Sequence, residues 1–156
     1  MDTAKFRQKR LRNELKKIGK HPIEGIEVLP SECGTFWWFL MIGPPDSPYY
    51  GGHYIGQVTI PPNYPRKSPG FKFNTPSGRF TGALCLNFGV DWTPGYYIQS
   101  VLLGVMSVMC DDKFHGSGMT VQSESVRLKC RDESFEYNHK HLSKIYNILL
   151  EQLDEH

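Results

Sequence analysis

The chain has 156 residues, of which 39% are hydrophobic and 22% are charged, so it can bury about two thirds of its unfolded surface in one domain and is not intrinsically disordered. The formal net charge of +2 conceals an uneven distribution: residues 1–20 carry eight Lys or Arg against two acidic residues, and the rest of the chain carries ten against fourteen. A broad basic face for nucleic-acid binding is therefore excluded, and we expect residues 1–156 to form a single domain whose basic end contacts a protein.

The cysteines give no sign of a metal site or of disulfide bonds. Cys33, Cys85, Cys110 and Cys130 are separated by 52, 25 and 20 residues and form no CxxC pair, which is unlike the ligand spacing of zinc sites. The N-terminal sequence MDTAKFRQKR lacks an apolar signal core, so we expect a cytoplasmic protein with reduced thiols and without a cofactor.

Hydrophobic periodicity predicts a helix and four strands in the first half of the chain. Leu11, Leu15 and Ile18 share one face at helical spacing, which predicts an amphipathic helix from about residue 4 to 18 with a basic outer face. The short connections that follow are rich in Pro, Gly, Ser and Asp, which favours an antiparallel meander. Its four predicted strands are Ile26–Leu29, Thr35–Ile42, His53–Ile60 and Phe71–Asn74.

An irregular stretch then leads to helices. Residues 78–97, GRFTGALCLNFGVDWTPGYY, keep no period, whereas residues 98–109 have apolar side chains at the spacing of a buried central helix. Val121, Leu128 and Phe135 mark a weaker helix, and residues 142–153 repeat the strong helical pattern. The expected fold class is α+β, in which the first and central helices cover one face of the sheet.

Several motifs occur in an order typical of one enzyme family. The segments KRLRNEL, GPPDSPYYGG and PPNYP are followed by a Cys-Leu pair, Trp-x-Pro and an apolar helix, and they extend over nearly the whole chain. This pattern resembles the catalytic core of the ubiquitin-conjugating enzymes. The TPSGRF motif, residues 75–80, stands in place of the usual His-Pro-Asn, and it resembles the Thr-x-Asn-Gly-Arg-Phe motif of the subgroup that is tail-anchored at the endoplasmic reticulum.

The resemblance implies a reaction centred on Cys85. In the family, the matching thiol accepts ubiquitin or a ubiquitin-like modifier from an activating enzyme as a thioester, and a ubiquitin ligase usually promotes transfer to a lysine or hydroxyl of a protein substrate. A free thiol with a pKa of about 8.5 is partly ionised near neutral pH and needs little activation. The irregular, uncharged segment around Cys85 can hold an extended peptide tail beside the sulfur.

Transfer to lysine requires deprotonation of the acceptor, because an amine with a pKa of about 10.4 is protonated at neutral pH. Removing water from the incoming amine, or placing a hydrogen-bond acceptor beside it, lowers the cost of deprotonation. The family keeps a gate of this kind after the central helix, here CDDKFHGSGM, so Asp111, Asp112, His115 and Ser117 are the candidates for that role. The alternative is a solvated loop that caps the next helix. Ser77 stands where the subgroup has Asn; either its hydroxyl supports the oxyanion less well and alters transfer, or Ser77 only forms a turn.

The resemblance also implies partner-binding residues. Lys9 and Arg10 match helix positions that in the family meet an acidic region of the activating enzyme, although a solvated helix face is an equal alternative. Ligase contacts in the family use the first helix and two loops, here YPRKSP and WTPG, which implies Arg66, Pro94 and Gly95. Arg66 replaces an apolar residue common in the family, and we expect it to disfavour ligases that offer an apolar groove.

Two other functions fit parts of the sequence. The departure at Ser77 leaves open a catalytically weak or inactive variant that binds ubiquitin or acts as a scaffold. A cysteine hydrolase would pair Cys85 with a histidine, but no histidine lies in a local motif. The subgroup resemblance implies the cytosolic face of the endoplasmic reticulum if a membrane anchor follows His156 in the natural protein, and the cytoplasm otherwise.

Overall fold

The computed structural model describes residues 3–84 and 92–155, which form an antiparallel sheet with helices on both faces. The helices are α1 (Thr3–Lys20), α2 (Ile98–Met109), α3 (Glu124–His141) and α4 (Ser143–Asp154). The strands, in their order across the sheet, are β1 (Ile26–Pro30), β2 (Phe36–Ile42), β3 (His53–Thr59), β4 (Gly70–Phe73) and β5 (Ala83–Leu84). The predicted α+β fold is confirmed. Over the described ranges, no helix combines the length and apolar character that crossing a bilayer requires.

The predicted meander is present and continues by one strand. Each of the first four strands begins and ends within one residue of its predicted bounds. The fifth, β5, pairs antiparallel with β4 through Phe71 opposite Leu84 and Lys72 opposite Ala83. The prediction of four strands missed it because two residues carry no measurable alternation.

One face of the sheet is covered by α1 and α2, as predicted. Alternate residues of β2 point to this face, and Trp37, Phe39 and Met41 are all buried there. They belong to one apolar cluster with Leu11 of α1 and Leu102 of α2. This packing fixes the positions of α1 and α2 relative to the sheet.

The opposite face is covered by α4, whose Tyr146 and Leu149 pack with Leu40 of β2 and Ile55 of β3. Helix α3 is present as predicted, but the apolar residues that marked it do not form its buried face. Phe135 is 39% exposed, and Val121 precedes the helix.

The buried residues of α3 are polar instead. Ser134 Oγ accepts a hydrogen bond from the backbone N–H of His53 at 3.0 Å, and Asn138 Nδ2 donates to the carbonyl of His53 at 2.8 Å. Both α3 side chains are buried. Since these bonds satisfy buried polar groups at the start of β3, they attach α3 to the sheet without apolar periodicity.

Candidate functional site

The TPSGRF motif forms a buried turn between β4 and β5. Ser77 is fully buried, and its Oγ accepts hydrogen bonds from the backbone N–H groups of Arg79 (3.1 Å) and Phe80 (3.2 Å). Gly78 has a φ of 78°, and a Cβ there would lie 2.8 Å from Cγ of Arg127, so glycine suits both the conformation and the contact. The Ser77 hydroxyl thus stabilises the turn, and its effect on transfer stays a prediction.

The gate segment, residues 110–119, lies against the chain that runs from this turn into β5. The backbone N–H of Thr81 donates to the carbonyl of Gly118 at 2.7 Å. Gly118 has a φ of 80°, and a Cβ there would lie only 2.3 Å from the carbonyl oxygen of Ala83, so this close approach needs glycine. The gate segment is therefore fixed beside the strand that leads toward the predicted nucleophile.

The candidate side chains of the gate segment differ in how far they are engaged. The Asp111 carboxylate accepts a hydrogen bond from the backbone N–H two residues later at 3.0 Å, and Asp112 forms an ion pair with Arg127 at 3.3 Å. His115 and Ser117 are exposed, and their side chains form no hydrogen bond within the described part of the chain. Helix α3 is capped by a serine outside the segment. Of the four candidates, His115 and Ser117 thus have the side chains least engaged with the described part of the chain.

A buried carboxylate joins three parts of the expected partner surface. Glu14 of α1 is only 3% exposed, and it accepts hydrogen bonds from Arg10 Nε at 3.1 Å, from the Tyr64 hydroxyl, and from the backbone N–H of Ile98 at 2.7 Å. Burial, with a further contribution from the Glu14 carboxylate, raises the pKa of Tyr64. One side chain thereby positions α1, the PPNYP bend and the start of α2 relative to one another.

The two loops expected to meet a ligase are bonded to each other. Trp92 Nε1 donates to the carbonyl of Pro65 at 2.8 Å. Arg66 on one loop and Pro94 and Gly95 on the other are all exposed. The structure therefore places these three predicted contact residues on a pair of connected loops.

The two predicted contact residues of α1, Lys9 and Arg10, differ in exposure and in their bonds to the rest of the protein. Lys9 is exposed. Arg10 is half-buried and donates from Nη2 to the carbonyl of Tyr96 at 2.7 Å, and its guanidinium lies 4.7 Å from the ring centre of Tyr97. Arg10 therefore holds the loop before α2 in place, whereas Lys9 is available for an external contact.

Cys85 lies outside the described residues, so its role and any pairing with a histidine stay predictions. Cys33, Cys110 and Cys130 are free thiols. Hydrogen bonds with the hydroxyls of Ser31 and a neighbouring threonine lower the pKa of the exposed Cys33 to about 7, whereas burial raises the pKa of the other two. Within the described ranges, no group of three or more His, Cys, Asp or Glu is placed to hold a metal ion.

The family model for ubiquitin-conjugating enzymes matches residues 10–142, a range that includes the motif turn, the gate segment and Glu14. The chain belongs to the ubiquitin-conjugating enzyme family.

Individual members of the family align with much of the chain. It is 35% identical over 142 residues to ubiquitin-conjugating enzyme E2 6 of Schizosaccharomyces pombe, covering 86% of this chain and 62% of that protein. It is 34% identical over 148 residues to ubiquitin-conjugating enzyme E2 J2-like of Dictyostelium discoideum, covering 90% and 87%. The chain thus spans less than two thirds of the length of the first of these relatives.

Solved structures support the same conclusion. Human ubiquitin-conjugating enzyme E2 G1 superimposes with a TM-score of 0.57 at 30% identity, covering 65% of this chain and 92% of that one. A putative ubiquitin-conjugating enzyme from Plasmodium yoelii gives a TM-score of 0.63 at 30% identity, covering 69% and 74%.

Three buried charged residues of this ubiquitin-conjugating domain, Glu14, Arg79 and Arg127, were missed among the candidates taken from the sequence. Glu14 falls on the apolar face of α1 between Leu11 and Ile18, and an acidic residue in that position was a usable signal of a buried polar contact. Arg79, which is fully buried, lies inside the quoted TPSGRF motif but has no periodic context. Only the folded chain reveals which groups it binds.

Proposed function

We propose that the chain accepts ubiquitin from an activating enzyme as a thioester on Cys85 and transfers it to an acceptor. In loading, the Cys85 thiolate attacks the carbonyl carbon of the ubiquitin C-terminus, and the thioester bond to the activating enzyme breaks with release of that enzyme's thiolate. In transfer, the acceptor amine or hydroxyl attacks the same carbonyl carbon. The carbon–sulfur bond breaks, the Cys85 thiolate leaves with the electron pair, and the acceptor's proton passes to a base.

The placement of the gate segment is the observation that carries this proposal. It is hydrogen-bonded to the chain that enters β5, and Cys85 is the residue after that strand. His115 and Ser117 are exposed on the same segment, where polar groups can orient an acceptor. Membership of the family over residues 10–142 supports the same assignment.

The first test is thioester formation. The chain is incubated with activating enzyme, ubiquitin and ATP, and we expect an adduct that dithiothreitol removes and that Cys85→Ala abolishes. Cys33→Ser is the matched control, because Cys33 is an exposed thiol whose pKa is lowered to about 7, and among the three described thiols it is therefore the one most open to adventitious modification. An adduct lost in Cys33→Ser and retained in Cys85→Ala would overturn the assignment of the nucleophile.

A second test follows the loaded chain. The subgroup resemblance suggests, as an alternative, that the chain acylates hydroxyl groups. Discharge onto free lysine and onto free serine compares the two kinds of acceptor, and discharge onto lysine at a rate far above that onto serine would contradict this alternative. Ser77→Asn in the same assay tests the proposed effect of Ser77 on transfer, since a faster lysine discharge is expected if the missing amide supports the oxyanion. A chain that binds ubiquitin without forming any adduct would favour the scaffold function instead.

We extend the proposal to the binding partners of the chain and to its location in the cell. The exposure of Lys9, Arg66, Pro94 and Gly95 supports contacts with an activating enzyme and a ligase, and a panel of ligases in the discharge assay tests whether Arg66 restricts the choice. The TPSGRF motif supports the subgroup associated with the endoplasmic reticulum. Expression of the complete reading frame with microsomes, followed by alkaline extraction, tests that location.

A further inference from the structure

Arg79 is a cation enclosed in the protein and bound to main-chain carbonyl groups. Its side chain has no exposed surface, and within the described ranges no carboxylate forms an ion pair with it. Its terminal nitrogens donate to four carbonyl oxygens, those of Thr120 (3.2 Å), Val108 (3.1 Å), Asp111 (2.9 Å) and Phe114 (2.6 Å). Since burial of an unbonded charge is very costly, these four bonds are what allows a guanidinium at this position.

The four carbonyls come from two structural features that meet at Arg79. Val108 is in the last turn of α2 and Asp111 follows it closely, so Arg79 lies at the negative end of that helix, where carbonyls lack helical partners. Phe114 lies within the gate segment, and Thr120 follows its last residue. One guanidinium therefore joins the end of α2 to the middle and the far end of the gate segment.

The backbone of Arg79 also forms hydrogen bonds, one to the motif turn and one to the residue after the gate segment. Its N–H donates to Ser77 Oγ at 3.1 Å, and its carbonyl accepts from the N–H of Thr120 at 2.8 Å. The next residue but one, Thr81, donates to Gly118. The side chain and the backbone of Arg79 thus fix the gate segment against the chain that enters β5.

We propose that Arg79 is a positioning residue for the transfer step: its guanidinium holds the gate segment beside β5 so that His115 and Ser117 are presented to the acceptor. This inference rests on the proposed function. Arg79 is not itself a catalytic residue, because it is enclosed and its side-chain hydrogen bonds go to main-chain oxygens. On the proposed function the gate segment acts on the acceptor, which takes no part in loading, so Arg79 should affect transfer and leave loading unchanged.

The shape of the side chain matters in addition to its charge. A planar guanidinium directs several N–H groups in fixed directions, whereas the ammonium of lysine is one donor atom and cannot reach four carbonyls on separate turns. Arg79→Lys therefore keeps the charge but releases part of the gate segment. A misplacement of about 1 Å in a group that orients a reactant can lower a rate about 100-fold.

The experiment compares Arg79→Lys and Arg79→Met with the unaltered full chain in single-turnover assays. Each protein is loaded with fluorescent ubiquitin, the activating enzyme is stopped by chelating Mg²⁺, and discharge is followed over a range of lysine concentrations. We expect loading rates within about twofold of the unaltered chain and a maximal discharge rate that falls about tenfold or more in both variants. Hydrogen exchange of the unloaded proteins should accelerate in residues 110–120 and stay unchanged in β2 and β3.

Arg7→Lys is the matched control. Arg7 also donates to main-chain carbonyls, those of Pro61 (3.0 Å), Ile60 (3.0 Å) and Gly34 (3.2 Å), but it lies on α1. Its replacement removes bonds of the same kind and should leave the discharge of preloaded protein within about twofold of the unaltered rate, because the gate segment is untouched.

Several outcomes would overturn the inference. Discharge at the unaltered rate by a loaded Arg79→Lys would do so, as would loading and discharge that fall in the same proportion. If near-ultraviolet circular dichroism shows both Arg79 variants unfolded, Arg79 serves the fold as a whole and the inference is wrong. If the unaltered chain forms no thioester, the proposed function fails and this inference fails with it, a result distinct from normal discharge by the variants.

Discussion

At the scale of single residues, two enclosed charges organise the loops, and each is compensated in a different way. Glu14 forms an ion pair with Arg10 and accepts two further hydrogen bonds, whereas Arg79 is compensated by the dipoles of main-chain carbonyls. Both arrangements are expensive to break from one side, because the partner groups are then left buried without a bond. Each charge holds a segment that we assign to function.

Glu14→Ala should lower the free energy of unfolding by about 3 kcal/mol, the cost of breaking a buried ion pair from one side. The substitution leaves the Tyr64 hydroxyl, the N–H of Ile98 and the Arg10 guanidinium without their shared acceptor. Urea unfolding at neutral pH measures the change. Glu24→Ala is the control, since Glu24 is exposed and its replacement should change stability by less than about 0.5 kcal/mol. Equal effects of the two substitutions would contradict the inference that Glu14 holds α1, the PPNYP bend and the start of α2 together.

At the scale of elements, the sequence predicts what apolar periodicity reports and misses what polar contacts determine. Four strands and α2 follow from alternation and helical spacing. Helix α3 does not bury the apolar residues that marked it, because its buried face is formed by hydrogen-bonded polar side chains such as Ser134 and Asn138. The gate segment lies beside β5 through backbone bonds and the positive φ of Gly118, which residue types alone do not specify.

The attachment of α3 and α4 to the sheet should weaken at acidic pH. The His53 ring packs 4.8 Å from the ring of Phe135, and its Nδ1 is 2.6 Å from the Tyr146 hydroxyl. Burial lowers the pKa of His53, so the folded state binds a proton less readily than the unfolded chain, whose histidine has a pKa of about 6.5. The stabilising contribution is therefore complete above about pH 6.5 and is lost as the pH falls toward the folded-state pKa.

We expect the free energy of unfolding, measured in urea at several pH values from about 7.5 to 5, to decrease on acidification by up to about 1.4 kcal/mol per pH unit from this group. His53→Gln should flatten that dependence. His21→Gln removes an exposed ring from the segment after α1 and should retain the slope of the unaltered chain. A slope that is the same in His53→Gln and in the unaltered chain would show that other groups cause the acid sensitivity.

At the scale of the whole molecule, charge is concentrated on one helix. Residues 1–20 contribute eight of the 18 basic residues, and the rest of the chain is net acidic. The exposed side of α1 carries Lys9, Arg12 and Lys16, whereas Glu14 is buried and neutralised by Arg10. An uneven distribution of this kind orients the molecule toward an acidic partner before contact and raises the association rate more than the final affinity.

Lys9→Glu should therefore slow loading by the activating enzyme about tenfold at low ionic strength, because it reverses a charge in the middle of the exposed basic face of α1. The Debye length shortens from about 30 Å at 0.01 M salt to about 3 Å at 1 M, so the difference between variant and unaltered chain should almost disappear at high salt. Lys140→Glu on α3 makes the same charge change at another exposed position and should leave the loading rate nearly unchanged. Initial loading rates at limiting activating enzyme, measured across a salt series, distinguish these cases. If the two substitutions slow loading equally, net charge is the cause, and α1 has no special part in the encounter.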